Sequence, residues 1–248
     1  MKKLVVAVVI VLLVGIVSYL FFRNYISRQK VLNQNQKDLL LPDLITSPPE
    51  DLYIEASAQV RNIRFSTTFV NQGKGPLEIV GEKDEKRQIT QATQRMKKTD
   101  GTFEEKEIGE FVLHPDHQHW HVENYVQFQL WSYLDNGEKD ELLATTDKMS
   151  FCIFDQEAVD LSLENAPRQP QYRGCNDVIQ GISVGWSDTY RASFEGQELD
   201  IKGIGDGNYL VRTVVNPDQK IAESDYENDE VVVYIEIKGN EIMRRDSP

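Results

Sequence analysis

Cysteine is nearly missing from this 248-residue sequence, which has only Cys152 and Cys175 and no Cys-x-x-Cys pair. That excludes a disulfide-dense miniprotein and a structural zinc knuckle. Positive charge is also short, with 27 Lys and Arg against 40 Asp and Glu and a formal net charge of -13. A basic nucleic-acid-binding surface is therefore excluded as the default, and no nucleic-acid partner is expected. Beyond one N-terminal apolar run, no segment carries a long helical period. What remains is a chain with 40% hydrophobic residues, enough to bury a core and to exclude wholesale disorder. Its length suits one domain or two small ones.

Charge is unevenly placed, because residues 1–30 hold five basic side chains and no acid. Within them Leu4 to Phe22 reads LVVAVVIVLLVGIVSYLFF, uncharged throughout. As a helix this run is roughly 28 Å long, close to the apolar thickness of a bilayer. A signal peptide has a shorter apolar region followed by an A-x-A-like site, and neither is present. An uncleaved transmembrane anchor is the expectation, with cleavage near Ser18 as the alternative. Lys2 and Lys3 precede the run while Arg23, Arg28, Lys30 and Lys37 follow it, so charge alone leaves the orientation open. The cysteines form an even pair. A disulfide between them would stabilise by on the order of 3 kcal/mol and would need an oxidising compartment, two buried thiols being the alternative. The expected order is a cytoplasmic tip (1–3), an anchor (4–22), a polar stalk (23–40), an extracytoplasmic folded domain (41–238) and a polar tail (239–248).

In the folded part the apolar period is two. Asn62 to Asn71 places Ile63, Phe65, Thr67 and Phe69 on one face, and Tyr125 to Leu134 does the same with Val126, Phe128 and Leu130 before an Asp135-Asn136-Gly137 turn. Tyr209 to Asn216 and Glu230 to Lys238 continue the pattern. Short alternating runs separated by Asn, Asp, Gly and Pro predict half-buried antiparallel strands, hence an all-β fold built as a single β-sandwich-like domain. Gln88 to Phe111, centred on Asp100-Gly101, predicts a polar hairpin projecting from the sheet.

All four histidines lie in His114-Pro-Asp-His117-Gln-His119-Trp-His121. In a strand, residues two apart share a face, so His117, His119 and His121 can converge if the strand bends. Imidazole suits zinc, copper, iron and nickel, and the spacing does not separate copper from zinc. A solvated histidine run is the alternative, but this one leads directly into the apolar strand at Tyr125.

This segment resembles the copper-binding segment of the lysyl oxidase catalytic domain, and the resemblance continues in order. Lys148-Met-Ser-Phe-Cys152 with Phe154-Asp155 is similar to the family's cofactor-lysine segment. Gln180-Gly-Ile-Ser-Val-Gly-Trp-Ser-Asp188-Thr-Tyr190 is similar to the cofactor-tyrosine segment. Leu41-Pro42-Asp43-Leu44 resembles the family's opening, and Asp206 through Asp229 its C-terminal strands, so the likeness covers roughly residues 41–238. The resemblance implies a copper amine oxidase in which His117, His119 and His121 hold Cu(2+). Lys148 and Tyr190 would form a lysine tyrosylquinone, and primary amines, lysyl or other, would be oxidised by O2 to aldehydes with release of H2O2 and ammonia. Asp188, two residues from Tyr190, is a candidate base or a turn cap.

Glu223, Asp225, Asn228 and Asp229 offer hard oxygen ligands that suit Ca(2+). The resemblance adds Asp43 and the carbonyl of Leu44 to that set, while a solvated acidic turn is the alternative. Asp116 stands where the family has a cysteine, and animal members carry many more cysteines, so a membrane-anchored, prokaryotic-type member is expected. The competing readings are a non-catalytic metal-binding or adhesion β-sandwich module and a three-histidine zinc hydrolase.

Overall fold

The computed structural model describes residues 38–114 and 118–248. The expected anchor at 4–22, residues 23–37 of the expected stalk, and His117 lie outside the described residues. Among the described residues no helix is long and apolar enough to cross a membrane, and every strand pairing is antiparallel.

Two sheets face each other. The larger runs in the order Ile179–Ile182, Leu77–Asp84, Ile89–Lys98, Phe103–His114, His119–Tyr133, Gly207–Val215, Glu230–Lys238, Glu241–Arg245. The smaller is centred on Arg61–Asn71, which pairs with Leu44–Thr46, Glu50–Ala56, Trp186–Tyr190 and Glu198–Asp200. The alternation read from sequence sets the inner faces: Ile63, Phe65, Thr67 and Phe69 are buried in one sheet, and Val126, Phe128 and Leu130 in the other. The two faces meet ring on ring. Phe65 packs edge-on against Phe128 at 4.8 Å, and Phe69 against Tyr125 at 5.2 Å, a geometry worth about 0.5–1.5 kcal/mol per pair beyond area burial. Asn124, at φ 55°, interrupts the alternation, so that Tyr125 and Val126 are both buried.

Two expected features differ. The hairpin at Gln88–Phe111 turns at Gly101 as predicted, with Lys98 N–H donating to Thr102 O at 2.7 Å. It does not project, however. Ile89–Lys98 and Phe103–His114 are interior strands of the larger sheet, and Ala92, Gln94, Met96, Ile108 and Phe111 are buried. Polar composition hid this because Thr, Gln and Glu side chains alternate with the buried ones. Residues 239–248 also depart from a simple tail: the chain turns at Gly239, and Glu241–Arg245 pairs with Glu230–Lys238 as an edge strand rich in charge. Charged edges of this kind block further strand addition. At the other end, Leu39–Leu40 of the stalk pairs with Lys97 and Lys98.

Candidate active site

The antiparallel pairing of Phe103–His114 with His119–Tyr133 brings the described histidines together. In the antiparallel register His114 stands opposite His119, and Val112 opposite His121. His119 and His121, two apart on one strand, present their rings on one side with centroids 4.7 Å apart, and the His114 ring lies 5.0 Å from that of His121. The Nε2 atoms of His119 and His121 are only 2.7 Å apart. That contact is a hydrogen bond whose donor depends on the tautomer; with both nitrogens deprotonated the same convergence fits a shared cation, and imidazole nitrogens suit copper. Among the described residues no three His, Cys, Asp or Glu side chains form a complete metal group, and His117 is not among them. His114, outside the expected ligand set, is drawn beside the other two by cross-strand register, and its Nε2 lies 3.7 Å from Glu195 Oε2.

The histidines share a cavity of about 450 Å³ with Tyr190. Tyr190 ends the strand Trp186–Tyr190, where it pairs with Thr67. Its ring lies on Phe151, centroids 4.2 Å apart. Its hydroxyl is shielded from solvent beside Asp188, as i and i+2 on one strand require. Neither that hydroxyl nor Asp188 Oδ1 completes a hydrogen bond of good geometry, although each is near enough to move the other's titration. Asp188 is 1% exposed, and burial pushes its carboxyl up to about 8 against the partial relief of the Phe154 N–H and Tyr190. Burial, then Asp188, raises the Tyr190 phenol well above its usual range.

Lys148 is not part of this group. It precedes the strand Met149–Phe151, whose Met149 and Phe151 wall the cavity, but its Nζ donates to Asp218 Oδ1, 70 residues further on. A link between Lys148 and Tyr190 therefore requires the lysine to leave Asp218. Tyr190 lines the cavity with the described histidines, and Lys148 is not among its lining residues.

Cys152 and Cys175 form the disulfide, with Cα atoms 5.2 Å apart, and both sulfur-bearing residues line the cavity. Cys175 O accepts from Trp120 N–H at 2.9 Å. Gln180 Nε2 donates to Trp120 O and Asn176 O at 2.7 and 2.8 Å. The bridge thus ties the cavity wall to the histidine strand. Changing both cysteines to serine is expected to cost about 3 kcal/mol, read as a lower denaturant midpoint. An unchanged midpoint would show that hydrogen bonds alone hold this wall.

The acidic residues form a separate cluster. Glu223 is buried; its Oε2 accepts from Leu44 N–H at 2.7 Å and its Oε1 from Asn216 Nδ2 at 2.6 Å. Asn228 Nδ2 donates to Asp43 Oδ1 at 2.8 Å. Burial, then Asp229, lifts Glu223 to about 9, while burial, then Asp43 and Asp225, lifts Asp229 to about 7. The described oxygens Asp229 Oδ1 and Asn228 Oδ1 are buried without a hydrogen-bond partner. Leu44 contributes its N–H to this cluster.

The lysyl oxidase family model matches residues 77–246. The chain is 38% identical over 119 residues to lysyl oxidase homolog 2 of Gallus gallus, a stretch covering 48% of this chain and 14% of that protein. It is 36% identical over 121 residues to lysyl oxidase homolog 4 of Homo sapiens (48% and 14%). With lysyl oxidase homolog 2B of Danio rerio it shares 36% identity over 133 residues (53% and 16%). The matched stretch is thus a small part of each of these relatives.

Proposed function

Because the chain belongs to the lysyl oxidase family, we propose that it is a copper-dependent amine oxidase. It would take a primary amine, O2 and water to the aldehyde, ammonia and H2O2. The observation that carries this reading is the convergence of the His119 and His121 Nε2 atoms, 2.7 Å apart, in the same cavity as Tyr190. Copper held by His117, His119 and His121 would supply redox chemistry with O2, and a lysine tyrosylquinone from Lys148 and Tyr190 would supply an electrophile that ordinary side chains lack. The chain's own residues then have definite tasks. Apolar walls exclude water from the bound amine. Asp188, beside Tyr190, accepts in its ionised form the proton from the carbon bearing the nitrogen, and that form gains as pH rises toward about 8.

The disulfide supports an oxidising, extracytoplasmic location for residues 41–238, held at the cell membrane by the 4–22 span. Calcium at Asp43, Leu44, Glu223, Asp225, Asn228 and Asp229 is a second part of the proposal. Its support is the crowding of carboxylates, with Asp229 acting on Glu223 and Asp43 and Asp225 on Asp229, together with the buried oxygens Asp229 Oδ1 and Asn228 Oδ1 that complete no hydrogen bond.

The copper-loaded protein, incubated in air, should release H2O2 on addition of a primary amine. Stoichiometric copper without any amine-dependent peroxide would move the reading to the non-catalytic metal-binding module. His119→Ala and His121→Ala should each weaken copper binding by more than the roughly 10–100-fold that losing an outer partner of a ligand costs; metal analysis after dialysis reads this directly. If zinc is retained and copper is not, the zinc hydrolase reading gains. Calcium at about a hundred times its dissociation constant should stabilise the fold by about 2.7 kcal/mol, and Glu223→Gln should remove the gain. A melting temperature indifferent to calcium would dismiss this second site.

A further inference from the structure

The cavity beside Tyr190 is walled mainly by hydrocarbon. Met149, Phe151 and Phe154 line its interior, and Val112, Leu113 and Phe194 its rim. These three rim residues are 44%, 48% and 46% exposed. Three large apolar side chains left half in water around one opening mark a surface built to be covered. Phe194 is held in place. Arg64 Nε donates to Ala192 O at 2.7 Å and Arg64 Nη2 to Phe194 O at 2.6 Å, and Glu198 and Glu55 hold the guanidinium at 3.2 and 3.3 Å. Gly196, at φ 82°, supplies the left-handed backbone conformation this loop takes beside Met149 and Phe151. Among the described lining residues Glu195 is the one carboxylate, and its side chain is 64% exposed.

We propose that this site takes primary monoamines whose nitrogen sits on a hydrocarbon body, and that Phe194, with Val112 and Leu113, sets that preference. The proposal rests on the amine-oxidase reading above and names its substrate class. A diamine of the same length would bring a second ammonium against these walls, where it loses part of its water and where, among the described lining residues, Glu195 is the one carboxylate to receive it. Glu195 cannot repay that loss, because an ion pair so exposed is screened by solvent. A lysyl peptide would lay its amide groups across the side chains of Val112, Leu113 and Phe194, which offer them no hydrogen bond.

The test compares n-propylamine, n-pentylamine and 1,4-diaminobutane, the last two alike in shape but differing in CH3 against NH3+ at the far end. Binding is measured by NMR titration of the copper-loaded Tyr190→Phe full chain, and kcat/KM on the unaltered protein. Pentylamine should exceed propylamine roughly fifteenfold, about fourfold for each added methylene, and should exceed diaminobutane at least tenfold. Phe194→Ala should remove most of the chain-length gain; Leu113→Ala serves as a second, independent reduction of the rim. A flat chain-length dependence, diaminobutane equal to pentylamine, N-acetyl-lysine amide preferred over pentylamine, or both variants behaving as the parent would each overturn the assignment. Failure of the parent reading looks different: no amine is oxidised by the unaltered protein, while the Tyr190→Phe chain still ranks the amines by hydrocarbon length.

Discussion

Tyr190→Phe is expected to lower amine-dependent peroxide release by at least ~10³-fold, the scale of loss when a group central to the chemistry is removed, while leaving the fold intact. The ring keeps its place on Phe151, 4.2 Å between centroids, and its tilted contact with Phe69. Only the hydroxyl goes, and that hydroxyl is buried without a well-formed hydrogen bond. Deleting a poorly satisfied polar atom costs little stability and often returns some. Copper binding should persist, since the convergent Nε2 atoms belong to His119 and His121. A peroxide assay beside a melting curve separates the two effects. Mass analysis of the peptides containing Lys148 and Tyr190 should show a covalent link in the parent and none in the variant. Undiminished peroxide release from Tyr190→Phe would end the quinone assignment.

Asp188→Asn should give a protein that is more stable and less active. The folded Asp188 carboxyl is raised to about 8, first by burial, whereas an unfolded aspartate titrates near 3.8. Below about pH 4 both states hold the proton and the group is neutral toward folding. Between about 4 and 8 the unfolded chain releases its proton while the folded chain retains it, so stability falls as pH rises; above about 8 the loss is complete. For a shift of this size the loss reaches at most about 6 kcal/mol. Asparagine has no proton to lose. Its oxygen can still accept the Phe154 N–H that Asp188 Oδ2 now meets at 3.4 Å, and its nitrogen can turn to the Tyr190 hydroxyl. Denaturant unfolding from pH 4 to 9 should therefore show a gain for Asp188→Asn that is near zero at the acid end and a few kcal/mol at pH 8. The same variant loses the proposed proton acceptor, so kcat falls, as expected where a strained buried charge serves function. Parallel pH-stability curves for parent and variant would show that Asp188 titrates as an ordinary carboxyl.

Much of this protein follows from local chain geometry alone. Alternation in Asn62–Asn71 and Tyr125–Leu134 determined which side chains enter the core, because successive residues of any strand point to opposite faces. The same two-residue repeat determined that His119 and His121 share a side and that Asp188 lies beside Tyr190. Asp100-Gly101 marked a true turn, since glycine accepts φ 85° there without strain. Other features depended on which strands became neighbours. Cross-strand register put His114 into the histidine group. The partner of Lys148 is Asp218, and the aromatic at the cavity mouth is Phe194, on a loop pinned by Arg64 from 130 residues away. The hairpin at 88–111 reads as polar in one dimension but becomes the middle of a sheet when strands close on both sides of it. Periodicity is a property of a single strand and is written in its residues. The meeting of distant strands is settled by packing and by the entropy of closing the loops between them, and no short stretch of sequence carries that information.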